Sequence, residues 1–318
     1  MPIKVNRKKV MPIPLQAKQC EKYATELSQD EMLEAIRSVS ERGLKWRGAP
    51  NEAKLDRDER LALEAALIQH IEDLEQGRLV DALHWLSKTG VVFAGLDRHI
   101  KTGTFFALQQ HLLDFSKNEL IDLIESLGKL RFDWRDVIPI QQFHFAQKID
   151  EQIPNMEPNE LAILLIGLSP MYFKWKLLRV CYGDQNIDLR ESIASRMVLL
   201  YEDFCFEDKL SILAAFGNME YIKGRSPDKV DNLCIALLTN CIRECPKDHA
   251  KTLWFLYKKL AFGKKDVGTE LHLFLKELTY GPPQQPKIEK KQRPSRPKSQ
   301  PNRHDSADPY HDYKPYSG

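Results

Sequence analysis

The sequence predicts an all-α protein: an α-solenoid of about six helical-hairpin repeats, about 41 residues each, with extended basic N- and C-terminal arms. Three observations lead there. Apolar residues recur at i, i+3, i+4 and i+7, which is one face of an α-helix. That pattern returns at a near-constant interval. Alternating runs rich in Val, Ile and Thr, the mark of half-buried strands, are missing.

The interval is clearest in the middle of the chain. NELIDLIESLGKLRFDW, from Asn118, aligns without a gap to NELAILLIGLSPMYFKW, from Asn159, 41 residues on. The matches are Asn118/Asn159, Glu119/Glu160, Leu120/Leu161, Leu123/Leu164, Leu127/Leu168, Phe132/Phe173 and Trp134/Trp175. Upstream, Leu79, Ala82, Leu83, Leu86, Val91 and Phe93 take the equivalent places. Before them come Met32, Ala35, Ile36, Val39, Leu44 and Trp46. Downstream, Leu210, Leu213, Ala214 and Ile222 fit loosely, and Ala250, Leu253, Trp254, Tyr257 and Phe262 fit better. The six copies are spaced 47, 41, 41, 49 and 40 residues apart.

Each copy reads as a first helix, often a Gly or Ser (Ser87, Gly128, Ser169), an aromatic or β-branched pair at alternate positions, and a second amphipathic stretch. Such stretches occupy 59–74, 103–115, 135–153 and 226–245, the last opened by the helix-start sequence Ser226-Pro227-Asp228. The two wide spacings place extra loop residues near Gly48–Leu55 and Gly183–Asn186. A hairpin of this length cannot bury both faces by itself, so neighbours are expected to stack.

Charge divides the chain into three parts: an N-terminal extension (1–27), the helical repeats (28–280) and a Pro-rich tail (281–318). The net charge is only +2, but it is a cancellation. Residues 1–20 carry Lys4, Arg7, Lys8, Lys9 and Lys18 with no acid, giving +5. Residues 281–303 carry Lys287, Lys290, Lys291, Arg293, Arg296, Lys298 and Arg303 against Glu289, giving +6. The last fifteen residues sum to −2, which leaves −7 for 21–280. The tail also holds eight of the 18 prolines and few large apolar groups, too few to offset the entropy of ordering it.

Six cysteines at irregular spacings do not form a disulfide framework, so a reducing compartment is expected. The longest apolar run, 161–168, is far short of the ~20 residues a bilayer crossing needs. The N-terminus lacks an apolar secretory core and is basic and acid-free through Cys20, as an organelle transit peptide would be. Pro2, Pro12 and Pro14 would interrupt the helix such a peptide forms.

Motifs for catalysis are sparse. There is no phosphate-binding glycine loop, HExxH, GxSxG or CxxC. Lys88-Thr89-Gly90, Lys101-Thr102-Gly103 and Ser226–Lys229 match fragments of the penicillin-binding signature, in reversed order and without a sheet to carry them. Cys234, Cys241, Cys245 and His249 share a helix face that could hold zinc, but Pro246 interrupts it, and a packed apolar face accounts for the thiols. Trp46, Trp134 and Trp175 could stack bases, or seal the junction with the next repeat; a fixed place in the repeat points to packing. No catalytic residue, metal or cofactor is expected.

The leucine-rich first helix followed by GKLRFDW or SPMYFKW resembles the degenerate hairpin repeats of the octotricopeptide and FAST-kinase-like group, organellar RNA-metabolism proteins that often end in a RAP domain. The resemblance covers about 28–280 and implies an organellar helical-repeat protein acting on RNA. The proline-rich octotricopeptide motif is missing and nothing after Tyr280 suits a RAP domain, so no nuclease-like role is expected. HEAT-type repeats have a similar length.

Together these features predict a non-catalytic subunit of a mitochondrial ribonucleoprotein, the mitochondrial ribosome first. The arms (Lys4, Arg7, Lys8, Lys9, Lys287, Lys290, Lys291, Arg293, Arg296, Lys298, Arg303) would contact rRNA, and the repeats would hold proteins. A stand-alone factor for RNA maturation or stability, reading single strands, is one alternative. A protein-only scaffold in a respiratory or ATP-synthase assembly is another.

Overall fold

The computed structural model describes residues 27–281, apart from 49–51, 222 and 225–227. Both arms, with all eleven basic residues assigned to RNA, lie outside the described residues, as do Ile222 of the fifth copy, Ser226 and Pro227. The described part is all-α, with thirteen helices and one two-stranded hairpin.

Six first helices match the six copies: α1 (Gln29–Glu41), α3 (Gln76–Lys88), α5 (Lys117–Lys129), α7 (Pro158–Leu168), α9 (Phe206–Asn218) and α11 (Ala250–Lys259). Between and after them lie α2 (Arg57–His70), α4 (Arg98–His111), α6 (Pro139–Gln152), α8 (Leu189–Leu199), α10 (Asp228–Glu244), the short α12 (Lys264–Val267) and α13 (Thr269–Tyr280). Each first helix packs against the next: α1 on α3, α3 on α5, α5 on α7, α7 on α9 and α9 on α11.

Local chemistry sets where these helices begin and end. Ser28 and Glu31, and again Ser116 and Glu119, form capping boxes that satisfy orphan N–H groups at the starts of α1 and α5. Those serine contacts hold both glutamates below their ordinary pKa. At the other end, every first helix is followed by one residue in the left-handed region: Gly43, Gly90, Arg131, Tyr172, Glu220 and Ala261. This turn marks the repeat better than any side chain does.

Backbone and side-chain hydrogen bonds then tie neighbours together at matching positions. Trp46 N–H donates to Thr89 O (3.0 Å), Phe93 N–H to Leu130 O (2.6 Å) and Trp175 N–H to Met219 O (2.7 Å). At the helix starts, Gln29 donates to Asp73 O (3.5 Å), Gln76 to Asp114 O (3.3 Å) and Lys117 to Asn155 O (3.3 Å). His70 and Arg196, at the ends of second helices, reach Leu27 O (2.7 Å) and Met156 O (2.9 Å). The first helices therefore run in one direction with their ends in register.

The buried stripe of α5 (Leu120, Leu123, Ile124, Leu127) is the periodic one, each side chain adding about 1.5–3 kcal/mol. The small residues noted after the apolar face let neighbours approach. A Cβ on Gly128 would lie 2.3 Å from Gly167 O, so α5 and α7 meet backbone to backbone.

The fifth copy departs from the expected register by one residue. Leu210 and Ala214 are only partly buried, whereas Ile212, Leu213 and Phe216 have no exposure. The leading leucine's place is held by Lys209, whose methylene stem is buried and whose ammonium reaches Glu244 at 3.2 Å. An apolar pattern cannot find a lysine used this way. Substituting Lys209 by Met should alter stability by less than about 1 kcal/mol, because the partly exposed Glu244 stays hydrated. Glu244→Leu, which strands the buried ammonium, should cost about 1–3 kcal/mol in urea unfolding. Equal effects of the two changes would refute this account.

The wide spacings also resolve. Near Gly48 the chain folds back so that Leu55 N–H donates to Lys45 O (2.9 Å). At Gly183 the expected loop is instead a β-hairpin, β1 (Arg179–Tyr182) antiparallel to β2 (Gln185–Asp188). Only Val180 of β1 is buried, so the strand never shows the alternation that would announce it.

Candidate nucleic-acid interface

Because the first helices share one direction, their ends form two edges of the described repeats. Acids gather where the first helices start: Asp30 and Glu31, Glu72, Asp73 and Glu75, Asp114 and Glu119, Glu157 and Glu160, Glu207 and Asp208. Bases gather where they end. Arg42, Lys45 and Arg47 follow α1, and Lys88 closes α3. Lys129 closes α5, Arg131 and Arg135 follow it, and Lys174 and Lys176 follow α7. Lys258, Lys259, Lys264 and Lys265 surround the end of α11. Helix dipoles favour this sorting, since acids stabilise N-termini and bases C-termini. Its result is a basic edge on a stretch of chain whose net charge is −7.

Most of the acids on the basic edge are spoken for. Asp133 chelates Arg135 through both oxygens (2.9 and 2.6 Å), and this contact holds its carboxyl below the usual range. Glu220 pairs with Lys174 at 2.8 Å, and Asp266 pairs with Lys223. Arg42, Lys88, Arg131, Lys176, Lys264 and Lys265 are all exposed. The Lys45 stem crosses to the next repeat over Gly90, whose positive φ and absent side chain both make room for it.

Apolar groups interrupt the charges. Val92, Tyr172 and Leu177 are exposed on the same turns, and the Arg135 guanidinium sits 4.5 Å from the Tyr172 ring centroid. Arrays of cations with exposed aromatics are the chemistry that grips single-stranded nucleic acid: charges on phosphates, rings on bases.

The tryptophans take no part in it. Trp46, Trp134 and Trp175 are all buried. Trp46 donates its indole N–H to Glu64 (3.2 Å); Trp134 packs between Phe145 and Phe173; Trp175 meets Phe216. They seal repeat junctions and cannot meet a base. Cys234 and Cys241 are likewise buried in the core face of α10, where burial pushes the Cys241 thiol up to about 12 and raises Cys234 as well. Thr89, in one of the Lys-Thr-Gly fragments, is buried with its hydroxyl donating to Leu86 O (2.7 Å), and Gly103 packs on Ile71.

One cavity is notable among the described residues. Second helices α4 and α6 pack less closely than the other consecutive second helices, leaving a small, partly open apolar cleft lined by Phe105, Leu112, Phe132, Trp134 and Phe145. Gln141 bridges it to Gln109 at 2.6 Å.

The class defined by these features is that of all-α helical-repeat proteins. The sequence matches no family model and no characterised protein. No helix among the described residues is long and apolar enough to cross a membrane.

Proposed function

We propose that the chain is a non-catalytic, RNA-associated subunit of a ribonucleoprotein, with the mitochondrial ribosome as the first candidate. The basic edge of the repeats contacts RNA phosphates, and so do the two arms, from Lys4 to Lys9 and from Lys287 to Arg303. The observation that supports this reading is the segregation of charge, which gathers bases at the ends of α1, α3, α5, α7 and α11 on a stretch of chain whose net charge is −7. Each phosphate neutralised on a single strand contributes a salt-dependence slope of about −0.7.

The test is RNA binding by the full chain between 50 and 200 mM salt, conditions over which such contacts weaken strongly. Arg131→Glu with Lys176→Glu and Lys265→Glu should weaken binding about tenfold or more and flatten the slope by about two. A chain that binds no RNA, or binds it with no response to salt, would sink the reading.

A protein-only scaffold is the second reading. It is favoured by Leu273, Phe274 and Tyr280, which expose apolar surface on α13, the last described helix. In that case nuclease treatment would leave the native complex intact.

A further inference from the structure

We infer that Tyr172 is a stacking platform for one unpaired nucleobase at the centre of the basic edge, which makes single-stranded RNA the class of ligand. This rests on the RNA-binding reading above and narrows it.

Two observations meet at this residue. The first is its exposure. Tyr172 occupies the left-handed turn after α7 with φ of 60°, as Arg131, Glu220 and Ala261 do after α5, α9 and α11, and of these four it alone presents an aromatic ring, 51% exposed.

The second is how the ring is held. The guanidinium of Arg135 lies 4.5 Å from the ring centroid, and both oxygens of Asp133 fix that guanidinium in turn. The ring is thus oriented before any ligand arrives, which lowers the entropy lost on binding. Around it are cations for the flanking phosphates. Arg131 holds the matching turn one repeat earlier, with φ of 54°, and exposed Lys176 lies four residues on. Aromatic stacking tolerates every base, because every base has a π-face. The platform therefore reports strandedness and not sequence.

The experiment uses fluorescence anisotropy of the full chain with two labelled probes: a twelve-residue oligouridylate, and the same backbone with abasic riboses. The native chain should prefer the oligouridylate by about fivefold or more, the effect of stacking one base. Tyr172→Gly should fold with a Tm at or above the native value, bind the abasic probe as before, and lose the preference. Tyr172→Phe should keep it. If Tyr172→Gly binds both probes as the native chain does, the platform is refuted while the basic edge stands. If the native chain binds neither probe, the RNA-binding reading fails and the platform falls with it.

Discussion

Gly128→Val should lower the melting temperature of the chain by on the order of 10 °C, which calorimetry would read directly. A Cβ at this position would sit 2.3 Å from Gly167 O and 2.8 Å from Gly167 Cα, well inside contact distance. Gly167 faces the same constraint in return, with Ile124 O 2.8 Å from its own virtual Cβ. Overpacking ordinarily costs about 1–3 kcal/mol, because neighbouring side chains can rotate away. Here the neighbour is backbone, so α5 and α7 must separate along their whole shared stripe. Gly95→Ala is the control: it has open space and should change the Tm by no more than a degree or two. Similar effects of the two substitutions would show that α5 and α7 do not cross in this way.

Trp134→Ala should cost about 3–5 kcal/mol in denaturant unfolding, the ordinary range for deleting a buried aromatic. Trp134 lies 4.3 Å from Phe173 and 5.0 Å from Phe145, centroid to centroid, and lines the cleft between α4 and α6. Few side chains there can collapse into the space it leaves, because that junction is already the loosest between second helices. Trp134→Phe, which installs the residue type found at Phe93, should lose less than half as much. A cost below about 1 kcal/mol for the alanine variant would mean that the ring does not close the junction.

The sequence made the α-helical repeat legible because apolar side chains outnumber other solutions at the first-helix face. Five copies lie in their expected register. The fifth slipped by one residue because Lys209 performs a leucine's task with its stem. The second helices were less legible at their starts. The stretch read as beginning at Arg135 starts as a 3₁₀ turn, Trp134–Asp136, and becomes α-helical at Pro139. Pro139 suits a first helical turn and marks the true start. The β-hairpin gave little signal, since it lies on the helices with most of its residues exposed.

The candidate site was legible only in part, for a different reason. Net charge is a property of the linear chain, and α1 to α13 fold that line back on itself repeatedly. The acids of Glu157 and Glu160 and the bases of Lys174 and Lys176 are close in sequence, but lie at opposite ends of α7. Summing by place in the repeat would have separated them. Tyr172 was hidden for the same reason, because nothing in SPMYFKW distinguishes a tyrosine in a left-handed turn from one in a core.

The opposed edges have a kinetic consequence. The net charge of −7 over residues 21–280 repels a distant polyanion, but a separated pair of edges also feels a torque. Within a Debye length, about 8 Å at physiological salt, that torque turns the ends of the first helices toward the polyanion and their starts away. Encounters are then sorted by orientation before any contact is made, and collisions with the acidic edge are rejected early. Raising the salt would slow productive association by randomising the angle of approach.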